Sequence, residues 1–123
     1  MVIQQGDVVW VSISGTGGSA PAGRRPVVVL QHDRFNRTKL ETAVVVAITS
    51  KLKYAGLPGN VRLRKGEAGL SKASVVNVTQ VATVDRGQLG PHIGRLTTGR
   101  LVEVWEGVRL VCEPSSAPQR PLS

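Results

Sequence analysis

Arg24 and Arg25 stand side by side at the head of RRPVVVL, residues 24–30, two fixed cations feeding a run of strong strand formers. Such a pair is either a solvated strand entrance or the edge of an anion site. A guanidinium fork binds phosphate through bidentate, charge-assisted hydrogen bonds. One reaction that such a fork can serve is internal cleavage of RNA. That substrate brings its own nucleophile, the 2′-hydroxyl beside the scissile phosphate, and needs above all stabilisation of a dianionic phosphorane. Alternation along a strand sets residues 25, 27 and 29 on one face and 24, 28 and 30 on the other. The two arginines therefore cannot reach one phosphate from the same face of a regular strand. Pro26 has no N–H to give to a sheet ladder, which places this end of the strand near a loop where a ligand could enter.

Other chemistries find less support. Two imidazoles in a small basic chain suggest acid and base work on RNA. Yet His32 follows a strand in a charged turn and His92 lies in a stretch rich in Gly and Pro, so a non-catalytic role is the plainer reading for each. Cys112 and the two separated histidines match no zinc spacing. Asp7, Asp33, Glu41, Glu67 and Asp85 are scattered. There is no GxxxxGK[ST] phosphate loop and no dinucleotide fingerprint, and GTGG at 15–18 reads as a turn. No metal and no cofactor are expected.

The charge balance favours a polyanion partner. Sixteen Lys and Arg against eight Asp and Glu give a net charge of +8. Up to Lys65 there are ten basic and three acidic residues, net +7; beyond it six and five, net +1. Positive charge concentrated on part of a fold attracts nucleic acid more readily than charge spread for solubility.

The elements that must position these residues are mostly strands. Asp7–Ile13, Arg25–Gln31 and Thr42–Thr49 read as strands, Val61–Arg64 as a strand with one wet face, and Ser74–Val84 as a strand with a bend. His92–Leu96 adds a short one. Residues 14–23, SGTGGSAPAG, form a flexible loop. Five or six short strands with Gly and Pro punctuation predict a small antiparallel barrel. A helix follows from Arg100 to Cys112, with Thr97 or Thr98 as N-cap. Its stripe of Leu101, Val104, Trp105, Val108, Val111 and Cys112 should pack on the barrel, making Trp105 and Cys112 core residues. At 123 residues the chain reads as one domain over 1–112, followed by a Pro- and Ser-rich tail, 113–123, expected to be disordered. A single Cys, no signal-like N-terminus and no long apolar stretch lead to the expectation of a soluble, cytoplasmic protein.

GDVVWV at 6–11, GS at 18–19, GRRPVVVLQHDRFN at 23–36, VVVAITS at 44–50, LPGNVRL at 57–63 and SVVNVTQVATVD at 74–85 occur in the order of the MazF/PemK family. The chain resembles these toxins of type II toxin–antitoxin systems over about residues 3–112. The resemblance implies a mainly β fold, an SH3-like barrel with a C-terminal α-helix, assembled as a homodimer. It also implies metal-independent endoribonuclease activity on single-stranded RNA, leaving a 2′,3′-cyclic phosphate and a 5′-hydroxyl. The expected targets are messenger RNA, with ribosomal and transfer RNA in some members. A cognate antitoxin would block the basic groove with an acidic, disordered segment.

The family's catalytic arginine falls on Arg25 and its threonine on Thr49. Arg25 would hold the phosphate and stabilise the phosphorane, since a guanidinium keeps its proton too firmly to suit proton transfer at neutral pH. Thr49 would donate to a phosphate oxygen or orient the 2′-hydroxyl. Arg24, Arg34, Arg37, Lys51 and Lys53, in loops beside those strands, would track the RNA backbone, with Ser19 and Gln80 as further contacts. Two departures stand out. Ala20 and Pro21 replace an acid and an amide common in the family's loop, and Thr79 replaces an acid before Gln80. The first removes side-chain contacts that would bear on which RNA bases are preferred; any mechanism that uses an acid at position 79 as base would fail here, and the general base is left unassigned. Two Trp, one Tyr and one Phe leave little scope for extended base stacking. The rival readings are a non-catalytic toxin of the same barrel acting on DNA gyrase, and a barrel that binds RNA without cutting it.

Overall fold

The structure is a computed structural model in which residues 2–13 and 23–115 are described. The predicted 14–23 loop, apart from Gly23, and most of the predicted tail lie outside the described residues. Six strands form one antiparallel sheet: β1 (Asp7–Ile13), β2 (Gly23–Val29), β3 (Thr42–Thr49), β4 (Val61–Leu63), β5 (Ser74–Asp85) and β6 (Leu89–Arg95). Their order is β4-β5-β3-β2-β1-β6. Two helices complete the fold, the short α1 (Asp33–Asn36) and the C-terminal α2 (Thr98–Cys112).

The valine runs are explained by burial on both faces of the central strands. On one face Val8, Val28, Val46, Val76 and Val78 meet Val104 and Val108 of α2; on the other Val9, Val27, Val29 and Val45 pack with Ile3 and Leu89. The sheet curls because β5 bends, as its length predicted. Val46 pairs with Val81 but Ile48 with Val76, so β5 advances five residues while β3 advances two. The first half of β5 then pairs with β4, and the second half continues along β3. Curling brings β6 against the one-turn 3-10 helix at Glu67–Gly69, where backbones touch. Gly69 has φ of +79°, and a Cβ there would strike the Ile93 carbonyl. A Cβ on Gly94 would strike the Ala68 carbonyl.

Helix α2 is capped by Thr97, whose Oγ1 accepts from the Arg100 N–H at 3.2 Å. Val104 and Val108 are buried, each stabilising the fold by about 1.5 kcal/mol or more. Gly107 lies directly on the backbone of Gly59. This contact corrects the sequence expectation for the helix. With the seam set at Val104, Gly107 and Val108, Trp105 is turned outward and 53% exposed, and Cys112 is exposed too. The apolar stripe is wider than the line of contact. Helix α1 was not expected; four residues are too few to show a period. His32 caps it, its Nδ1 accepting from the Arg34 N–H at 3.0 Å. Among the described residues no helix is long and apolar enough to cross a membrane.

Candidate active site

A cleft of about 720 Å³ opens where β2 begins, β3 ends and β5 begins. Its floor is apolar, with Pro26, Ile48, Leu70 and Ile93, and Trp10 at one side. Arg24, Arg25, Thr49, Lys51, Lys72 and His92 stand around it. Among the described residues no Asp or Glu lines it.

Sheet register fixes the two residues of greatest interest. The β2–β3 ladder ends at Val27↔Ala47. Arg25 and Thr49 each lie two residues further toward that same end, hence on matching faces of adjacent strands. On its other side Arg25 pairs with Val11 and Arg24 with Ser12. Arg25 is exposed, and its guanidinium has no acidic or hydrogen-bonding partner among the described residues. Arg24 occupies the opposite strand face, where its guanidinium lies 4.7 Å from the centroid of the Trp10 ring. That contact anchors Arg24 by cation–π attraction and leaves its N–H edges free to bind. Thr49 is half-buried, and its Oγ1 accepts from the Lys51 N–H at 3.2 Å. The turn-capping role that any strand-end threonine could have is therefore real. It uses the oxygen as acceptor and leaves the hydroxyl proton to donate.

Acidic groups near the cleft are engaged elsewhere. Glu67 takes Arg100 Nε at 2.6 Å and Nη2 at 3.2 Å, and also accepts from the Arg64 N–H. The Arg100 hydrogen bonds hold the Glu67 carboxyl below its ordinary range, and the same bonds push Arg100 up. Asp7, 2% exposed, accepts from Arg95 Nη2 at 2.9 Å and Nε at 3.1 Å and from the Gln4 N–H at 2.8 Å. His92 Nε2 lies 3.3 Å from the same carboxylate. Among the described residues no three His, Cys, Asp or Glu side chains gather as metal ligands.

Of the residues named from the sequence, Arg24, Arg25, Thr49 and Lys51 come together. Arg34 and Arg37 do not: they belong to the α1 connection, at the opposite end of β2 and β3, where Arg37 borders a separate hollow with Asp33 and Arg86. Nearness in sequence to β2 was nearness to its wrong end. Lys53 sits over the Tyr54 ring at 5.4 Å and does not line the cleft, nor does Gln80, exposed on β5. Ser19 lies outside the described residues. Lys72 was missed. It reaches the cleft because the antiparallel β3–β5 pairing sets Thr49 opposite Val75, so the residues before β5 end up beside those after β3.

The cleft on this small curled sheet is cationic, with no carboxylate lining it among the described residues, and both Arg25 and Thr49 line it. Comparisons with known proteins show the family. Residues 4–112 match the family described as PemK-like, MazF-like toxin of type II toxin–antitoxin system. The chain is similar to endoribonuclease MazF2 of Mycobacterium bovis, 37% identical over 113 residues, covering 92% of this chain and 99% of that protein. It is also similar to endoribonuclease EndoA of Bacillus subtilis, 34% identical over 110 residues and covering 89% and 94%. Among solved structures, MazE–MazF of Deinococcus radiodurans superposes with a TM-score of 0.76 at 25% identity, covering 94% of this chain and 99% of that one. The chain belongs to the PemK/MazF toxin family.

Proposed function

We propose that this chain is a MazF-type endoribonuclease that cuts single-stranded RNA by internal transesterification. The 2′-oxygen attacks the adjacent phosphorus, the bond to the 5′-oxygen breaks, and a 2′,3′-cyclic phosphate and a 5′-hydroxyl result. The observation that carries this reading is that Arg25, whose guanidinium has no partner among the described residues, and Thr49 line one cleft from the ends of adjacent strands, with no carboxylate among its described lining residues. Arg25 stabilises the dianionic phosphorane, where a preorganised donor acts more strongly than in the ground state. Thr49 donates to a phosphate oxygen. Arg24, Lys51 and Lys72 hold the flanking backbone, with Ser19 and Gln80 as further contacts. No metal takes part, because the nucleophile is already in the substrate.

Membership of a toxin family supports a cognate antitoxin as partner, and the cleft's charge suits an acidic, disordered segment of it. A homodimer is the assembly the resemblance implies, and the exposed Val102, Trp105, Leu110 and Val111 of α2 offer an apolar surface for a second copy. The site of action is the cytoplasm, where messenger RNA is found.

The test is incubation of purified protein with a long single-stranded RNA in EDTA, with mapping of the ends, for wild type and Arg25→Ala. Discrete cuts with cyclic phosphate ends in the wild type alone are expected. Binding without cuts would leave an RNA-binding barrel, and neither binding nor cutting would turn attention to protein targets such as gyrase. Cleavage lost in EDTA would reject the metal-free route.

A further inference from the structure

Cleaving RNA this way moves two protons: one leaves the 2′-hydroxyl and one must reach the departing 5′-oxygen. A guanidinium and an aliphatic hydroxyl supply neither well at neutral pH, and no carboxylate borders the cleft among the described residues. The 14–22 segment adds nothing, since SGTGGSAPA contains no ionisable side chain. His92 is the one residue lining the cleft whose type exchanges protons readily near neutral pH. It is also held. Nε2 lies 3.3 Å from Oδ1 of the buried Asp7, a carboxylate itself fixed by Arg95 and by the Gln4 N–H. The ring side chain nonetheless stays 51% exposed, and Nδ1 makes no hydrogen bond within the described residues. A buried carboxylate fixing one imidazole nitrogen while the other is left open to exchange a proton is the arrangement that sets tautomer and orientation in acid–base catalysis. His32 shows the contrast: it is committed to capping α1 at the far end of the strands.

Resting on the ribonuclease reading, we propose that His92, oriented by Asp7, is the general acid that protonates the leaving 5′-oxygen from Nδ1. An alkoxide is the poorest leaving group in the reaction, so this is the transfer that most needs a proton carrier. In-line attack puts the 2′- and 5′-oxygens on opposite sides of phosphorus, so one ring serves one of them. The P–O5′ bond breaks as the imidazolium gives up its proton. The 2′-hydroxyl proton passes to water in the open cleft, and water reprotonates the ring. The charged groups around it are Asp7 of β1, Arg95 of β6, Arg24 and Arg25 of β2, Lys51 after β3 and Lys72 before β5. The Glu67–Gly69 turn adds only the uncharged Gly69 to the cleft.

The experiment uses an oligonucleotide spanning a mapped cut, made with the ordinary 5′-oxygen or with sulfur in its place. A thiolate leaves without protonation. His92→Gln keeps an N–H for Asp7 but carries no transferable proton. It should cut the ordinary RNA about 10²–10³-fold more slowly, in the range of general acid catalysis, and cut the thio-substituted RNA within a few-fold of wild type. The alkaline fall of the wild-type rate on ordinary RNA should be missing from the variant. Asp7→Asn, folded by circular dichroism, should show a smaller loss with the same rescue by sulfur. Equal slowing on both substrates, or no slowing on either, overturns the assignment while the wild type still cuts. A wild type that cuts neither substrate removes the ribonuclease reading and this inference with it.

Discussion

The two ends of the β2–β3 pair are built from similar residue types and do opposite things. At the α1 end, most polar groups satisfy one another, the buried Arg86 Nε being the exception among the described residues. Asp33 accepts from the Gln5 N–H at 2.8 Å and from Asn36 Nδ2 at 3.1 Å, Asn36 and Gln31 exchange hydrogen bonds in a buried pair, and Arg86 Nη2 donates to the Phe35 carbonyl at 3.2 Å. At the cleft end, Arg25 has no partner among the described residues, Arg24 rests on an indole, and the lysines face open solvent without a carboxylate between them. Satisfied polar groups stabilise; a group of cations left without counter-charge destabilises the free protein slightly and is useful only when a ligand supplies the missing charge. The difference separates residues that hold the fold from residues proposed to await a substrate.

The comparison breaks first at Arg25. Arg25→Ala should lower kcat/KM by about 10²–10³-fold or more with Tm unchanged, whereas Arg37→Ala should stay within about twofold of wild type. Equal losses in the two variants would place RNA along both ends of the strands. Thr49→Val should cost about ten- to a hundredfold in kcat with little change in stability, as expected for one lost donor to a developing charge.

At the α1 end the effects should appear in unfolding instead. Asn36→Ala is expected to lower unfolding free energy in urea by about 2 kcal/mol, because Gln31 is left buried without its partner. Its cleavage rate per folded molecule should match the wild type. Asp33 adds a pH signature. The Gln5 N–H, then Asn36, hold its carboxyl below the ordinary value of 3.8. A depressed folded pKa gives stability that is present above the unfolded value and lost as pH falls through the folded one. The stability gap between wild type and Asp33→Asn, about 1 kcal/mol near neutrality, should therefore close below about pH 4. A gap that persists at pH 2 would mean that the carboxylate charge contributes nothing. The smallest effect is at Lys72: Lys72→Ala should weaken RNA binding a few-fold and reduce the magnitude of the salt slope of log K by about one.

Much of the fold was legible because strand alternation and valine runs report burial directly. Asp7–Ile13 and Thr42–Thr49 match the expectation to the residue, and β2 differs because Pro26 does not stop Gly23 and Arg24 from pairing with β1. What stayed hidden depends on three dimensions. Periodicity said that α2 has an apolar side, but only the Gly59–Gly107 backbone contact decides how much of that side is covered, so Trp105 was misplaced. Arg25 was already a candidate phosphate ligand from its place at the head of the strand, but its pairing with Thr49 came from the resemblance, since no local pattern pairs residues 24 positions apart. Lys72 and His92 enter the cleft through strand pairing and curling, and neither carries a sequence motif of its own.

The missing counter-charge in the cleft also has a bench-side consequence. Four cationic side chains, Arg24, Arg25, Lys51 and Lys72, around one hollow behave as a small anion-exchange resin. Protein purified at low ionic strength will carry host nucleic acid with it, visible as excess absorbance at 260 nm. A wash near 1 M salt, where the Debye length is about 3 Å, should strip it before any assay begins.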